Sequence, residues 1–459
     1  MKKLILIIII VFILLPVNRS REISTISKNI PDKKDLAGFI FSFQKRIDEL
    51  KFFQNANIMQ EIVMETGRME YAFNESVPLE DALKSFYVAK GIEYEEGEIN
   101  NFINKCNFSY ELKNAIALLL FSYTDILKSY KFEEKIENIV YFFGVVRKTA
   151  GILKEYGIEE SIEDKYGEII FGGTENNKFE ECYSFLIDFG GDDLYKKRNN
   201  SFILDIGGND KYERQASFYG DNIVFDLSGN DTYNDFPSSE NGINILFDLK
   251  GNDFYKGRVV TSYENGMSIL FDIEGNDFYF GENYTQCYTN GGISILSDFK
   301  GDDIYNASSY SQACSEGGIA FMIDFYGNDA FFAKDFSQSF STGFAKKSIA
   351  VLLNFEGDDY YNGGDFSQGY GEKLGFAVLF DFLGRDVYNA KQFSQASSML
   401  GIAALIDSDG NNEFISSLFS NGYKMLGSSF FLNNFDFEDS YEIIEILDYL
   451  NTNLREILP

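Results

Sequence analysis

A motif that recurs ten times from residue 188 onward limits the fold more than any other feature of this sequence. It reads D-x-x-G-[N/D]-D-x-[Y/F] and follows a short apolar run, and its first residue defines position 0 of each copy. Position 0 is occupied by Asp188, Asp205, Asp226, Asp248, Asp272, Asp298, Asp324, Asn354, Asp381 and Asp407. Self-similarity with a period of roughly 20–50 residues indicates a solenoid, a propeller or an array of small units.

The length and composition of one copy favour a parallel β-helix. The apolar run, for example Ile319 to Phe325, is rich in β-branched and aromatic residues and ends at a glycine-containing turn, as strands do. About 25 residues per copy accommodate one longer strand and two shorter ones, whereas helical repeats need about 33 residues and propeller blades about 40. We therefore predict an α+β chain: an N-terminal helical domain, an all-β parallel β-helix (solenoid) of about ten coils, and a short C-terminal helix.

Shifts in composition predict four segments. Residues 1–20 are typical of a signal peptide or anchor, residues 34–165 of a helical domain, residues 166–436 of the solenoid, and residues 437–459 of a C-terminal helical cap. In the helical domain, apolar residues recur at helical spacing, and Pro78 precedes an acidic first turn. This domain contains no metal-ligand spacing or catalytic motif, so we interpret it as an accessory or capping domain.

The extreme N-terminus indicates export. Lys2 and Lys3 precede an unbroken apolar run of twelve residues from Leu4 to Leu15. A helix of that length spans about 18 Å, which is shorter than the roughly 30 Å hydrocarbon core of a bilayer. A signal peptide and an extracytoplasmic location, secreted or associated with the cell envelope, follow. Because the cleavage site is poor, an uncleaved N-terminal membrane anchor is the alternative.

Charge and composition exclude several classes of function. The chain has 40 basic and 71 acidic residues, a formal net charge of −31, which argues against a nucleic-acid partner. It has no histidine, so Ser-His and Cys-His catalysis and histidine metal sites are excluded. Composition therefore excludes several classes of function but does not identify the function of this chain.

Alternation along each strand predicts which residues face the interior. Positions −5, −3, −1 and +1 are nearly all apolar, so we expect them to point inward. Position −2 forms a leucine ladder on the opposite face, which includes Leu296, Met322, Leu352 and Leu379. We expect another element or a second copy to cover this ladder, because large bare apolar patches are rare on soluble monomers.

Two further columns predict stacking along the solenoid. An aromatic column at position +7 runs from Tyr195 to Phe414. An amide column at position +14 contains Gln286, Gln312, Gln338, Gln368 and Gln395, each two residues after an aromatic residue. We interpret the amide column as structural, because stacked amides bond to one another, and keep a row of glycan-binding amides and aromatics as the alternative. Cys287 and Cys314 differ by one residue in register, so a disulfide between them is not expected.

The G-[N/D]-D core at positions +3 to +5 resembles the haemolysin-type calcium-binding repeat family, in which glycine loops and an Asp bind calcium between coils. The resemblance implies calcium ligands at Asp210, Asp231, Asp253, Asp277, Asp303, Asp329 and Asp359. This chain departs from the family in its period, which is about 25 residues instead of about nine.

Turn chemistry alone is the alternative interpretation of this core. Gly and Asn tolerate positive φ, and both Asp side chains would accept backbone N–H bonds within the turn. Stacked carboxylates about 4.8 Å apart repel by about 3.5 kcal/mol per neighbour at an effective dielectric of 20, which favours a bound cation where the columns are buried. Both interpretations stay open at this stage.

Three classes of function remain. The first is an exported, non-enzymatic repeat protein that offers an extended acidic and aromatic solenoid surface for binding a glycan or cell-surface partner, or for structure, with calcium as a stabilising cofactor. The second is a β-helical polysaccharide lyase or hydrolase, whose site would have to interrupt the repeat, as Asn354, Arg385 and the Lys346-Lys347 pair of the longest copy do. The third is a self-assembling scaffold joined through the leucine ladder. We favour the first and name no catalytic residue.

Overall fold

The computed structural model describes residues 78–130, 132–196, 201–213, 217–343, 348–408 and 410–433. The predicted signal or anchor segment, residues 34–77 of the predicted helical domain, and the predicted C-terminal cap lie outside the described residues. Two compact units divide the described chain: the first includes residues 78–213 and 221–231, and the second residues 217–220 and 232–433. Strands are numbered in chain order through both units.

The first unit begins with the predicted helical region. Its helices are α1 (Leu79–Lys90), α2 (Glu96–Lys105), α3 (Tyr110–Lys128) and α4 (Phe132–Glu155). Helix α1 starts directly after Pro78, as predicted, and ends at Gly91, whose φ of 69° suits a glycine cap. Within the described part of the chain, no helix combines the length and apolarity needed to cross a membrane.

The strands of the first unit carry three copies of the motif. They are β1 (Ile162–Glu163), β2 (Ile169–Phe171), β3 (Lys178–Phe179), β4 (Phe185–Asp188), β5 (Leu194–Lys196), β6 (Ser201–Asp205), β7 (Lys211–Glu213) and β9 (Asn222–Asp226). Strand β1 pairs with β2 in an antiparallel manner. Strands β2, β4, β6 and β9 pair in parallel in one sheet, and β3, β5 and β7 in another.

The second unit is a parallel β-solenoid with three sheets. The first contains β12 (Ile243–Asp248), β15 (Met267–Asp272), β18 (Ile293–Asp298), β21 (Gly318–Asp324), β24 (Ser348–Asn354), β27 (Phe376–Asp381), β30 (Ile402–Asp407) and β33 (Ser428–Leu432). The second contains β10 (Thr232–Asn234), β13 (Phe254–Lys256), β16 (Phe278–Phe280), β19 (Ile304–Asn306), β22 (Ala330–Phe332), β25 (Tyr360–Asn362), β28 (Val387–Asn389) and β31 (Glu413–Ile415). The third contains β8 (Ser217–Tyr219), β11 (Ser238–Asn241), β14 (Thr261–Tyr263), β17 (Tyr288–Asn290), β20 (Cys314–Ser315), β23 (Phe340–Thr342), β26 (Tyr370–Glu372), β29 (Ser397–Met399) and β32 (Lys424–Met425).

The predicted fold class is confirmed, with fewer turns than predicted. Helices precede a parallel β-solenoid of about eight turns, whereas the sequence predicts about ten coils. The eight turns correspond to the eight strands from β12 to β33, which include seven of the motif copies. Successive copies pair in register, so that Asp272 lies beside Asp298 and Asp298 beside Asp324.

The structure reverses the predicted orientation of the strand faces. In β18, Ser294, Leu296 and Asp298 at positions −4, −2 and 0 are fully buried. The Ser294 hydroxyl lies 2.9 Å from that of Ser262 in β14, inside the solenoid. The leucine ladder therefore lines the interior and does not form a surface that a second copy could bind. Self-association remains a proposal that requires a different surface.

Positions −3 and −1 form the outer face instead. In the first unit, Phe202 at position −3 packs against Tyr123 of α3 and Phe142 of α4, with ring centroids 5.6 and 4.8 Å away. Burial of each such side chain contributes roughly 1.5–3 kcal/mol. The apolar pattern suggested the wrong face because both faces of these strands are apolar, and the outer one is covered by helices in this unit.

The aromatic and amide columns stack as predicted. Ring centroids lie 4.6 Å apart for Tyr255 and Tyr279 and 4.5 Å apart for Tyr279 and Tyr305, with planes within 13° of parallel. In the amide column, Gln312 Nε2 donates to Gln286 Oε1 at 3.1 Å and to the Tyr305 carbonyl at 2.9 Å. These glutamines are fully buried, which supports the structural interpretation. Cys287 and Cys314 are free thiols, also as expected.

The motif glycine is required by the close approach of neighbouring turns. A Cβ atom at Gly301 would lie 1.9 Å from the carbonyl oxygen of Gly275 in the preceding turn. The same contact at Gly357 would be 1.7 Å from the Gly327 carbonyl. These distances are far below a van der Waals contact with backbone, so no other residue fits without moving the turns apart.

We expect Gly301→Ala to lower the free energy of unfolding by about 3 kcal/mol, because the added methyl group would overpack against backbone. Denaturant unfolding followed by circular dichroism measures this change. Gly97→Ala is the matched control, because the exposed Gly97 of α2 has open space around its Cβ position and alanine favours helix. Equal stability of the Gly301→Ala variant and the wild type would contradict the contact.

Candidate metal centre

Two columns of aspartates run inside the solenoid at positions 0 and +5. Asp272, Asp298 and Asp324 at position 0 end the strands of the first sheet with at most 1% exposure. Position +5 follows the glycine turn, directly before the short strand that carries the position +7 aromatic ring. Asp277 and Asp303 at position +5 are 2% and 1% exposed. The repeat therefore brings two carboxylates per copy into a dry interior.

Tyrosines hold one oxygen of each position 0 carboxylate. The Tyr279 hydroxyl donates to Oδ2 of Asp298, and the Tyr305 hydroxyl to Oδ2 of Asp324, both at 2.7 Å. In each case the tyrosine belongs to the copy before the aspartate. The aromatic column thus contributes hydrogen bonds as well as ring stacking, and it links one turn to the next.

Backbone N–H groups hold one oxygen of each position +5 carboxylate. Asp253 N donates to Oδ1 of Asp277, and Asp277 N to Oδ1 of Asp303, both at 2.6 Å. The exposed position +4 column bonds in the opposite direction, since Asn276 N donates to Oδ1 of Asn252 at 2.7 Å. These bonds connect neighbouring turns, so the expectation of bonds within a single turn is wrong for position +5. At position 0 it is confirmed where the Gly207 N–H donates to Oδ1 of Asp205 at 2.8 Å.

In several copies the other oxygen of both carboxylates has no hydrogen-bond partner among the described residues. At position 0 this is Oδ1, as in Asp272, Asp324 and Asp381, and at position +5 it is Oδ2, as in Asp277 and Asp329. Asp205 differs, because its Oδ1 accepts from Gly207 N at 2.8 Å. Buried polar atoms nearly always have a partner, so these facing carboxylate oxygens need a shared proton or a cation between them.

These carboxylates lie close enough to share a cation. Asp253, Asp272 and Asp277 form one group, and Asp277, Asp298 and Asp303 another, with one ligand oxygen per residue and all three oxygens within 4.8 Å of one another. Each group joins the two carboxylates of one turn to one of the preceding turn. Clusters of buried aspartates that could bind a metal ion are therefore a feature of the structure.

The last copy of the motif contains a hydrogen-bond donor where most other copies have a second carboxylate. There, Asn412 replaces the position +5 aspartate and donates its side-chain N–H to Oδ1 of Asp407 at 2.5 Å. Its own Oδ1 still accepts from Asp386 N at 2.8 Å. In the other copies a second carboxylate oxygen takes the place of that N–H group. Those pairs require a shared proton or a bound cation to avoid repulsion.

Burial and the proximity of other carboxylates also raise the pKa values of the aspartates in these columns. Burial, followed by the charges of neighbouring aspartates, raises the pKa of Asp272 far above its usual range. Burial and the Asp298 carboxylate raise the pKa of Asp303 to about 10. Like charges in a dry interior favour the protonated form. A metal ion would reverse this effect by favouring the ionised carboxylates.

The structure buries every predicted metal ligand and places a second set of aspartates, at position 0, beside several of them. Asp210, Asp231, Asp253, Asp277, Asp303, Asp329 and Asp359 all occupy position +5 and are 1–3% exposed. Whether they bind calcium stays a prediction. The position 0 aspartates were not predicted as ligands, because Asp followed by a glycine turn is also typical of plain turn chemistry.

One signal in the sequence identifies the position 0 column. Each aspartate from Asp205 to Asp407 follows a copy with tyrosine at position +7, whereas Phe331 is followed by Asn354 and Phe414 by Asn433. Asp188, which follows no tyrosine, lies 3.4 Å from the hydroxyl of Tyr195 in its own copy. A carboxylate at position 0 thus occurs where a tyrosine hydroxyl can donate to it.

The chain matches no protein-family model, and comparisons with curated proteins and with solved structures give no significant match. The resemblance to haemolysin-type repeats therefore rests on the G-[N/D]-D core alone and is not supported by a family match.

We expect the metal-free protein to lose stability as the pH rises from about 5 to about 9. The native state raises the pKa of Asp329 to about 7, of Asp277 to about 8 and of Asp303 to about 10. It therefore binds more protons than the unfolded chain, whose carboxyls titrate near about 4. This stability is complete below the unfolded pKa and is lost as the pH rises through the native values.

Urea unfolding in chelator at a series of pH values measures this dependence. Between its unfolded and its native pKa, each of these carboxyls is protonated only in the native state. Over that interval each group lowers the free energy of unfolding by about 1.4 kcal/mol per pH unit. A free energy that is constant or increases over this pH range would show that the columns are not buried as carboxyl pairs.

We expect Tyr305→Phe to lower the free energy of unfolding by about 2 kcal/mol, because Asp324 would lose the donor to its second oxygen. Adding Asp324→Asn should recover most of this loss, since phenylalanine followed by asparagine is the natural combination at residues 331 and 354. A double-mutant cycle from urea unfolding measures the coupling. Strictly additive effects would contradict the assigned bond.

Proposed function

We propose that this chain is an exported, non-enzymatic repeat protein whose solenoid is stabilised by calcium ions bound between the two buried aspartate columns. The observation that carries the proposal is the pair of buried carboxylate oxygens without a hydrogen-bond partner that Asp324 and Asp329 place inside the solenoid, at Oδ1 and Oδ2 respectively. Two carboxylates per turn balance one divalent cation per turn, so a full column would be electrically neutral.

Calcium fits these ligands better than the other common cations. All side-chain donors of the site are oxygens, which hard cations prefer. Magnesium keeps several of its waters, and these groups lie in a dry interior at 0–3% exposure. Calcium accepts irregular sets of carboxylate, carbonyl and hydroxyl oxygens, and binding at 10⁻⁴–10⁻³ M is typical, roughly, of extracellular modules. The predicted export signal would place the chain in that environment.

Two of the three departures from the repeat that could mark a catalytic site have structural explanations, and the third, Lys346 and Lys347, lies outside the described residues. Arg385 at position +4 continues the backbone ladder through its N–H and forms an ion pair with Asp358 at 2.6 Å on an exposed turn. Asn354 follows Phe331, which lacks a hydroxyl to donate. These explanations favour the non-enzymatic function over a polysaccharide lyase or hydrolase.

The aromatic column at position +12 supports a structural role more than glycan stacking. Its rings lie face to face, with centroids 4.8 Å apart for Tyr310 and Phe336 and 5.0 Å apart for Phe336 and Phe366. Sugars stack on ring faces, and here each face is covered by the neighbouring ring. A glycan partner would therefore meet ring edges and the exposed polar column at position +4.

A pair of matched single variants tests the calcium proposal. Asp303→Asn changes a buried ligand, and Asp302→Asn changes the exposed residue directly before it. We expect millimolar calcium to raise the melting temperature of the wild type and of the exposed variant, since each site contributes about 2.7 kcal/mol at a hundredfold excess over Kd. The buried variant should show a smaller increase and bind fewer ions by equilibrium dialysis.

In chelator the order of stability should reverse. The buried variant should then melt at a higher temperature than the wild type, because asparagine supplies the N–H that Asn412 supplies to Asp407 in the last copy and removes like-charge repulsion. A wild-type melting temperature that calcium leaves unchanged would overturn the proposal, and shared protons would then neutralise the carboxyl pairs.

A further inference from the structure

One turn departs from the repeat in a way that changes only the chemistry of the candidate metal centre. Phe331 replaces the position +7 tyrosine, and Asn354 replaces the position 0 aspartate of the next copy. Phe331 keeps its place in the ring stack, 4.7 Å from Tyr305 and 4.8 Å from Tyr361. Asn354 pairs in register with Asp324. The course of the backbone is therefore the same as in the neighbouring turns.

The two substitutions form a chemical unit. Without the tyrosine hydroxyl, an aspartate at position 354 would have neither oxygen satisfied by the preceding turn. Asparagine removes the charge and so avoids a buried carboxylate without donors. Both side-chain polar atoms of Asn354 are buried and without a hydrogen-bond partner among the described residues. The turn that begins at Asn354 therefore has the same backbone arrangement as the other turns but carries less negative charge.

The consequence is a turn with half of the usual negative charge. The copy that begins at Asp324 contributes Asp324 and Asp329, and the copy that begins at Asp381 contributes Asp381 and Asp386. The copy between them contributes Asp359 alone at these two positions. By the grouping of the other copies, a divalent cation there would meet Asp359 and, from the preceding turn, Asp329, which is one carboxylate fewer than in the complete groups. The neutral balance of the column would be lost at this turn.

We propose that the turn beginning at Asn354 binds no ion, so that the bound cations form two separate blocks, one on each side of this turn. This inference rests on the proposed calcium binding and specifies where along the solenoid it occurs. The gap is a property of two residues, Phe331 and Asn354. The block before it keeps complete carboxylate pairs, and the block after it consists of the Asp381 and Asp386 pair, because Asn412 leaves the last copy with Asp407 alone.

Counting the calcium ions bound per chain tests the inference directly. The full-length wild type and each variant are dialysed to equilibrium against saturating calcium, and bound metal is measured by elemental analysis. Phe331→Tyr with Asn354→Asp should bind one ion more than the wild type. Tyr305→Phe with Asp324→Asn copies the natural gap into an intact turn and should bind one ion fewer. Phe331→Tyr alone is the control and should leave the count unchanged.

The outcomes separate this inference from the proposed function. A wild type that binds no calcium overturns the proposed function, and the inference falls with it. In the second outcome, the wild type binds calcium but the folded gain variant, Phe331→Tyr with Asn354→Asp, binds no more ions than the wild type. That outcome overturns the inference alone. If circular dichroism shows that the gain variant does not fold, the loss variant, Tyr305→Phe with Asp324→Asn, tests the inference instead. A loss variant that binds as many ions as the wild type overturns the inference.

Discussion

In-register parallel stacking governs the chemistry of this structure, because it places every side chain directly over its equivalent in the next turn. Aromatic rings and amides gain from this arrangement, as the Tyr255, Tyr279 and Tyr305 stack and the Gln286 and Gln312 pair show. Carboxylates do not, since like charges repel most strongly where water is excluded. The solenoid stacks two carboxylate columns in its interior, and their compensation is the central physical requirement of the molecule.

The repeat made the architecture predictable, and the chemistry of single residues limited the prediction of its interior. Spacing and strand length identified a parallel solenoid, the +7 stack and the amide ladder, because these depend on period alone. The inward face was predicted wrongly, since Ser294 and Asp298 are polar and hydrophobicity places them outside. Their burial depends on partners, the Ser262 hydroxyl and the Tyr279 hydroxyl, which a pattern of apolar residues cannot indicate.

Only one of the two aspartate columns of the candidate site was predicted from the sequence. Position +5 was identified because G-[N/D]-D resembles a known calcium motif, whereas position 0 was interpreted as turn chemistry. Only the register, which places a tyrosine hydroxyl of one copy on the aspartate of the next, reveals the second column. The sequence contained this information at Phe331 and Asn354, but their relation becomes visible only when copies are compared one turn apart. The position +3 glycines at residues 301 and 357 were likewise explained by close approach between turns, which the sequence pattern does not indicate.

The opposed hydrogen bonds of positions +4 and +5 give the solenoid a templated mode of growth. A finished turn presents a bare N–H at position +5, which the aspartate of the following turn accepts, and a side-chain oxygen at position +4, which the following turn's N–H meets. Each new turn therefore finds a complementary edge that specifies its register before its own strands are complete. Because these contacts are the same from one turn to the next, duplication of one copy would extend the molecule without requiring new kinds of contact.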